Sequence, residues 1–276
     1  MELVVNKTGL AVLLTLLCIP LSAQADEEAA TTEPPAEPAA AEEGDRSSWP
    51  AASDLLAALD DNLVFETRTA DMRMTIEGRR RPRVMEIRTF GRGEEDSAME
   101  FLSPAREAGT KMLKIDEDMW MYLPSVDRTQ RISGHMMRQG MMGSDLSYDD
   151  MMTSRQFEEL YTAEVVGEAE LDGRSCWQVE MTAVDETVAY PRRVTWVDKE
   201  TKIPLKQELY ALSGMLLKTW TMGDIQPFEG GRQFPMRMVI EDHVRQGSRT
   251  IVEFSNLVFG VELEEEVFSR RWLERN

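Results

Sequence analysis

The chain has little cysteine and little histidine: two residues of each among 276. Cys18 lies in an N-terminal segment that we expect to be removed, so Cys176 is left alone and an internal disulfide is excluded. His135 and His243, with a single cysteine, are too few ligands for a His/Cys metal site. The sequence therefore predicts no metal and no other cofactor, and a fold that depends on its apolar core.

Long hydrophobic runs are also missing. The apolar stretch Leu10–Leu21 is shorter than the roughly 20 residues that span a bilayer. It follows Lys7 and precedes Ala23–Ala25, which is typical of a signal peptide, residues 1–25, cleaved after Ala25. The alternatives are an uncleaved anchor and lipidation at Cys18, although a lipobox favours a small residue directly before the cysteine. We expect a water-soluble periplasmic protein.

Basic residues are outnumbered by acidic ones, 31 against 50, for a formal net charge of −19. Residues 26–48 contribute eight acids and only Arg46, are rich in Ala and Pro, and lack apolar periodicity. This composition predicts a disordered, extended tether before a single folded domain, residues 49–276. The acidic balance argues against binding a nucleic-acid backbone or an anionic membrane surface.

Apolar periodicity predicts one short helix followed by many strands. Leu55, Leu56 and Leu59 share one side of a helix that ends near Asp60–Asn62. From residue 63 onward the period changes to two, with Gly- and Asp-containing turns at hairpin-like intervals. About ten strands with short connections predict a mainly β fold, a large antiparallel sheet that must curl. The alternating apolar sets are Met72/Met74/Ile76, Met85/Ile87, Trp177/Val179/Met181 and Met236/Met238/Ile240.

Two segments interrupt the alternation. Residues 134–160 begin as a glycine-spaced, methionine-rich loop and end as a predicted helix, and residues 264–276 predict a closing helix. Nine of the 19 methionines lie in 112–152. Methionine lines surfaces that repack around varied apolar ligands, and ordinary core packing is the alternative. The glycines predict a mobile loop, in which a fixed core would not normally keep four methionines.

The stretch 119–151 resembles the signature of the outer membrane lipoprotein-sorting protein family, the LolA-like proteins often found with RND-type exporters. Its elements here are Tyr122-Leu123-Pro124, then Arg128–Ile132, then Met142–Tyr148, then Asp149-Asp150. The resemblance implies an incomplete (half) barrel of antiparallel strands, with helices covering its concave face. It also implies an apolar cavity for the acyl chains of a lipid or lipoprotein, and an inner-membrane RND-type exporter as a partner. We expect the protein itself to be a monomer.

We expect the methionine-rich segment to line or cover this cavity, and the glycine-flanked loop to be its lid. Alternate strand residues face opposite ways, so Trp120 and Tyr122 cannot share a face with Met119 and Met121, and one of these sets must be wrong. The candidate ligand-binding residues are Met119, Trp120, Met121, Met136, Met137, Met141, Met142 and Leu146.

Charged residues give weaker predictions. Arg79, Arg80, Arg81 and Arg83 form a basic patch at a predicted hairpin tip, either solvated or docking onto an acidic partner. Asp145, Asp149 and Asp150 lack the spacing of an EF-hand calcium loop. We expect them to cap the loop and to be solvated, and Asp149 or Ser147 to cap the following helix.

Two other functions compete with a carrier. A sensor that binds mislocalised lipoprotein and regulates a partner would be expected to have a second regulatory domain, and none is visible. A hydrolase would need a nucleophile paired with a base, but no G-x-S-x-G occurs and neither His135 nor His243 has an evident partner. The sequence therefore favours a binding protein, not an enzyme.

Overall fold

The computed structural model describes residues 46–62, 65–79, 81–93, 96–152, 157–245 and 247–275. The predicted signal peptide, most of the predicted tether and Arg80 lie outside these residues.

The described chain is mainly β, and its strands form one antiparallel sheet that is not closed into a barrel. Period-two alternation explains these strands, because it places apolar side chains on one face and polar ones on the other. Thirteen strands are present where the sequence predicts about ten. They are β1 Thr67–Glu77, β2 Arg83–Arg92, β3 Asp96–Ser103, β4 Lys111–Ile115, β5 Asp118–Leu123, β6 Arg128–Ile132, β7 Tyr161–Leu171, β8 Arg174–Ala183, β9 Arg192–Asp198, β10 Pro204–Tyr210, β11 Leu216–Pro227, β12 Gln233–Asp242 and β13 Ser248–Phe259.

The strand order is β6-β5-β4-β3-β2-β1-β13-β12-β11-β10-β9-β8-β7. Neighbours along the chain are therefore neighbours in the sheet, except that β1 pairs with β13 and that β6 and β7 form the opposite edges. Tight turns join the hairpins, as at Asp172-Gly173, where both residues have positive φ. Because β6 and β7 are consecutive in the chain, the connection between them links one edge of the sheet to the other.

In the described part of the chain, four short helices accompany the sheet: α1 Ala52–Asp61, α2 Tyr148–Met152, α3 Phe157–Leu160 and α4 Arg270–Glu274. The predicted apolar side of α1 is confirmed, since Leu55, Leu56 and Leu59 are buried, against Val179 and neighbouring residues of β7–β9. Asp60 at its end accepts hydrogen bonds from the backbone N–H groups of Phe157 and Glu158, at 2.7 and 3.3 Å. This contact fixes the start of α3 to the end of α1.

The C-terminal segment covers one face of strands β3–β5. Val267, Phe268 and Leu273 are buried there against Leu113 and Tyr122. Ser269 caps α4 by accepting a hydrogen bond from the Trp272 N–H. The predicted closing helix is therefore present as α4, preceded by a 3₁₀ turn at Glu265–Phe268. Among the described residues, no helix combines the length and apolar character that crossing a bilayer requires.

Candidate functional site: a methionine-rich sheet face under a strap

Residues 133–152, which we call the strap, contact the sheet at points that follow the strand order. The Arg83 guanidinium in β2 donates to the carbonyl oxygen of Met142. Further contacts reach Thr250 in β13 and then Lys218 in β11. The strap therefore crosses one face of the sheet, which we call the strap face, from the β6 side toward the β7 side.

Beneath the strap lies an apolar cluster built largely from methionine. It holds at least 13 of the 19 methionines of the chain, seven of them buried and six partly buried. Sheet strands supply one side of the cluster and the strap supplies the other. Its methionines are Met72, Met74, Met85, Met112, Met119, Met121 and Met141, with Met99, Met136, Met137, Met142, Met151 and Met238 partly buried.

The methionine-rich loop of the strap is a compact hydrogen-bonded turn. The Met141 N–H donates to the Leu146 carbonyl at 2.7 Å, and the Asp149 N–H donates to the Met137 carbonyl at 2.8 Å. A Cβ at Gly140 would lie 2.1 Å from the carbonyl oxygen of Ser144, so only glycine fits there. The glycine spacing thus permits a tight turn that aims Met141, fully buried, at the sheet.

The first polar anchor of the strap is Asp145, whose side chain is 0% exposed. Its carboxylate accepts hydrogen bonds from the hydroxyls of Ser248 and Thr250 at 2.5 and 2.8 Å. The Thr250 hydroxyl also accepts from the Asp145 N–H at 2.9 Å, and the Arg245 guanidinium lies 3.5 Å from the carboxylate. This buried carboxylate fastens the middle of the strap to β13, so the expectation that it is solvated is wrong.

The second polar anchor is Asp150, with a side chain 1% exposed. It accepts hydrogen bonds from Lys218 Nζ and from the Tyr190 hydroxyl, both at 2.7 Å. Of the two residues predicted to cap α2, Ser147 is the one that does so. Its hydroxyl accepts a hydrogen bond from the Asp150 N–H, and the Asp150 carboxylate accepts one from the Ser147 N–H. Asp150 therefore fastens the strap to β11 and is likewise not solvated.

Asp149, half-buried and next to the second anchor in the chain, has a perturbed pKa. Burial raises the pKa of its carboxyl above the usual range, and the neighbouring Asp150 carboxylate raises it further, against a smaller opposing effect of Arg138, Arg193 and Lys218. No group of three or more His, Cys, Asp or Glu residues in the described part of the chain could hold a metal ion.

A cleft of about 760 Å³ opens beside the second anchor. Its walls are the β8–β9 loop, the β10–β11 hairpin, the end of β12 and the strap residues around Ser147. Three large apolar side chains at this cleft, Val184, Leu212 and Val244, are more than half exposed. Exposed apolar residues grouped at one opening are typical of a binding surface. None of the eight residues that the sequence analysis selected for ligand binding lines this cleft, whereas Ser147 and Asp149, named there as candidate helix caps, do.

The structure brings together seven of the eight predicted ligand-binding residues. Met119, Met121, Met136, Met137, Met141, Met142 and Leu146 all belong to the cluster under the strap. Trp120 does not: it packs on the opposite face with Trp272 and Tyr122, and the Arg270 guanidinium lies over its ring. Trp120 is separated from the methionines because successive side chains of β5 point to opposite faces of the sheet. Met119 and Met121 are therefore the pair that lies beneath the strap.

The basic hairpin divides into two parts. Arg79 and Arg81 are exposed, whereas Arg83 is engaged with the strap through the Met142 carbonyl. Sequence reasoning missed Trp220, Lys218 and Thr250, which lie far from the methionine-rich segment in the chain. Only strand pairing brings them to the strap face, and no local motif marks them.

Comparisons with known proteins agree with this architecture. A family model described as an uncharacterized protein matches residues 93–275. No curated protein matches the chain. A DUF1329 family protein from Desulfovibrio piger is 28% identical with a TM-score of 0.74, over 80% of this chain and 96% of that one.

Two further solved structures are similar. A domain from Vibrio parahaemolyticus assigned as an outer membrane lipoprotein-sorting protein is 25% identical with a TM-score of 0.74, over 81% of this chain and 98% of that one. A LolA superfamily protein from Nitrosomonas europaea is 22% identical with a TM-score of 0.67, over 81% of this chain and all of that one, and shows the shared fold. The resemblance predicted from residues 119–151 is confirmed: the chain belongs to the family of the matching model, and its fold is that of the LolA-like lipoprotein-sorting proteins.

Proposed function

We propose that this protein binds the acyl chains of a lipid or lipoprotein between the strap and the strap face, as a carrier and not as an enzyme. The observation that supports this most is the methionine cluster, with at least 13 of 19 methionines at one interface. Methionine is unbranched and polarizable, so the cluster can repack around an inserted hydrocarbon chain at small cost. The similar lipoprotein-sorting domain supports the same class of ligand.

The energetics suit such a ligand. Burying hydrocarbon contributes about 0.8 kcal/mol per CH₂ group, so a long chain supplies on the order of 10 kcal/mol before ordering costs. The closed cluster must make room, and the strap is the element that moves. Its polar anchors at Asp145 and Asp150 are two discrete points, and the cleft beside Asp150 is the proposed access route.

We also propose where the carrier works. The predicted signal peptide places it in the periplasm, and the acidic segment 26–48 gives the domain reach. An inner-membrane RND-type exporter is the proposed partner in transport to the outer membrane. Arg79 and Arg81, exposed at the β1–β2 hairpin, are the proposed docking charges. Changing both to Glu should abolish co-purification with the exporter, and unchanged recovery would count against docking at this hairpin.

The binding proposal is tested by displacement of a fluorescent fatty acid from the purified, exported protein. Met137→Asp places a charge in the strap side of the cluster, so the affinity should fall at least tenfold, because a buried unpaired charge is costly. Leu102→Asp is the matched control, since Leu102 is an exposed apolar residue of β3 outside the cluster. Equal affinities for wild type and Met137→Asp, with a folded variant, would contradict the proposal.

A further inference from the structure

Trp220, in β11, carries a polar atom without a hydrogen-bond partner. Its indole Nε1–H is buried, and among the described residues it meets no acceptor. The side chain packs against the methionine cluster under the strap. A buried donor left unpaired is destabilising, because it has lost its hydrogen bonds to water, and native proteins seldom keep one without a reason. An acceptor from a bound ligand would remove this cost.

Strand register places other polar side chains beside this indole. Trp220 lies directly opposite Gln207 of β10, and Gln207 lies opposite Thr195 of β9. Directly opposite residues of antiparallel strands project to the same face, so these three side chains form one row. Gln207 is 3% exposed and Thr195 is fully buried. A short polar row thus crosses an otherwise apolar part of the sheet.

The row lies between the cleft and the methionine cluster. Lys218, which holds the second anchor and lines the cleft, precedes Trp220 by two residues on the same face, about 7 Å along the strand. Met238, on the neighbouring strand, pairs with Met222, two residues beyond Trp220, and belongs to the cluster. A lipid with its head in the cleft and its chain among the methionines would have its linkage near Trp220.

We propose that the Trp220 N–H, with Gln207 beside it, binds the carbonyl oxygen of an ester-linked acyl chain. This inference rests on the proposed function and adds selectivity to it. The indole is a donor only and needs an acceptor. An ester carbonyl supplies one, whereas a chain joined through an ether has no carbonyl to offer. The site therefore selects acyl chains over ether-linked alkyl chains of the same length.

The test compares two phospholipids with the same headgroup and the same C16 chains, one diacyl and one diether, as competitors of the fluorescent fatty acid. Wild-type protein should prefer the diacyl lipid about fivefold, the value of one net hydrogen bond. Trp220→Phe keeps the aromatic ring but lacks the N–H, so it should lose that preference through weaker diacyl binding alone. Trp196→Phe is the matched control, because Trp196 adjoins Thr195 and faces the other side of the sheet.

A second readout is the indole ¹⁵N–¹H resonance of Trp220, assigned with the Trp220→Phe variant. It should shift when the diacyl lipid binds and stay unchanged with the diether lipid. Equal wild-type affinity for the two lipids, or a Trp220→Phe variant that weakens both equally, would overturn this inference and leave the acyl-binding proposal standing. Failure of both lipids and of the fatty acid to bind would instead overturn the proposed function.

Discussion

The two faces of strands β3–β5 differ in the side chains they bury and in the segment that covers them. On the strap face, Met99, Met112, Met119 and Met121 project into the methionine cluster. On the opposite face the cluster has aromatic and branched aliphatic residues and, among its described members, no methionine. The same strands therefore carry a flexible apolar surface on one side and a stiff one on the other.

The two covering segments differ in a matching way. The C-terminal cover is held by buried apolar side chains such as Phe268 and Leu273, and Lys111 Nζ donates hydrogen bonds to its last backbone carbonyls. The strap is held by two buried carboxylates, Asp145 and Asp150, whose hydrogen bonds can be exchanged for water when the strap lifts. One face is thus built to stay closed, and the other is built to open and repack.

Removing the first anchor should have the largest effect. Asp145→Ala leaves the hydroxyls of Ser248 and Thr250 without their carboxylate acceptor and removes the ion pair with Arg245, so it should lower the free energy of unfolding by about 4 kcal/mol. Asp71→Ala, which removes an exposed ion pair with Arg88, is the control and should cost about 1 kcal/mol or less. Urea denaturation measures both. Similar costs for the two variants would mean that Asp145 does not anchor the strap.

Truncating a fully buried side chain to alanine should lower the free energy of unfolding by different amounts on the two faces. Leu273 and Met141 are both fully buried, the first under the C-terminal cover and the second in the strap. Leu273→Ala should lower the free energy of unfolding by about 3 kcal/mol, because its stiff neighbours leave a cavity. Met141→Ala should lower it by about 2 kcal/mol, because the flexible methionines around it relax into the space. The comparison breaks if thermal or urea unfolding shows Met141→Ala to be the more costly variant.

The smallest effect concerns pH. Burial raises the pKa of Asp149 in the folded protein above its unfolded value, so the folded state binds the proton more tightly. Protonated Asp149 therefore contributes to the free energy of unfolding at low pH. This contribution is complete below the pKa of the unfolded state and is lost as the pH rises through the higher pKa of the folded state. Asp149→Asn should therefore stabilise the protein slightly at neutral pH and flatten this decline. Urea midpoints between pH 4 and pH 8 test it, and a steeper decline in the variant would contradict it.

Local pattern was enough to predict the elements of the fold. The alternation of Met72, Met74 and Ile76 and the apolar side of α1 give the strands and the helix that the structure shows. The predicted helix at the end of 134–160 is present as two short helices, α2 and α3, separated by residues outside the described part of the chain. Periodicity works here because it reports which side of each element is buried.

Long-range pairing could not be predicted in the same way. Nothing local indicates that β1 pairs with β13, or that β6 and β7 are the two edges of the sheet. The burial of Asp145 depends on Thr250, 105 residues later, so the sequence alone favoured a solvated carboxylate. The choice between Met121 and Trp120 likewise required knowing which face the strap covers, since alternation fixes only that they differ.

Binding of acyl chains among the methionines under the strap can be observed by NMR of protein labelled at the methionine ¹³C-methyl groups. Titration with a C16 fatty acid should shift the methyl resonances of Met121, Met137 and Met141, assigned by Met→Leu variants. Met181, buried in the cluster beneath α1, is the internal control, and its resonance should stay in place. Saturable binding that moves Met181 while leaving the strap cluster unchanged would show that acyl chains do not bind under the strap.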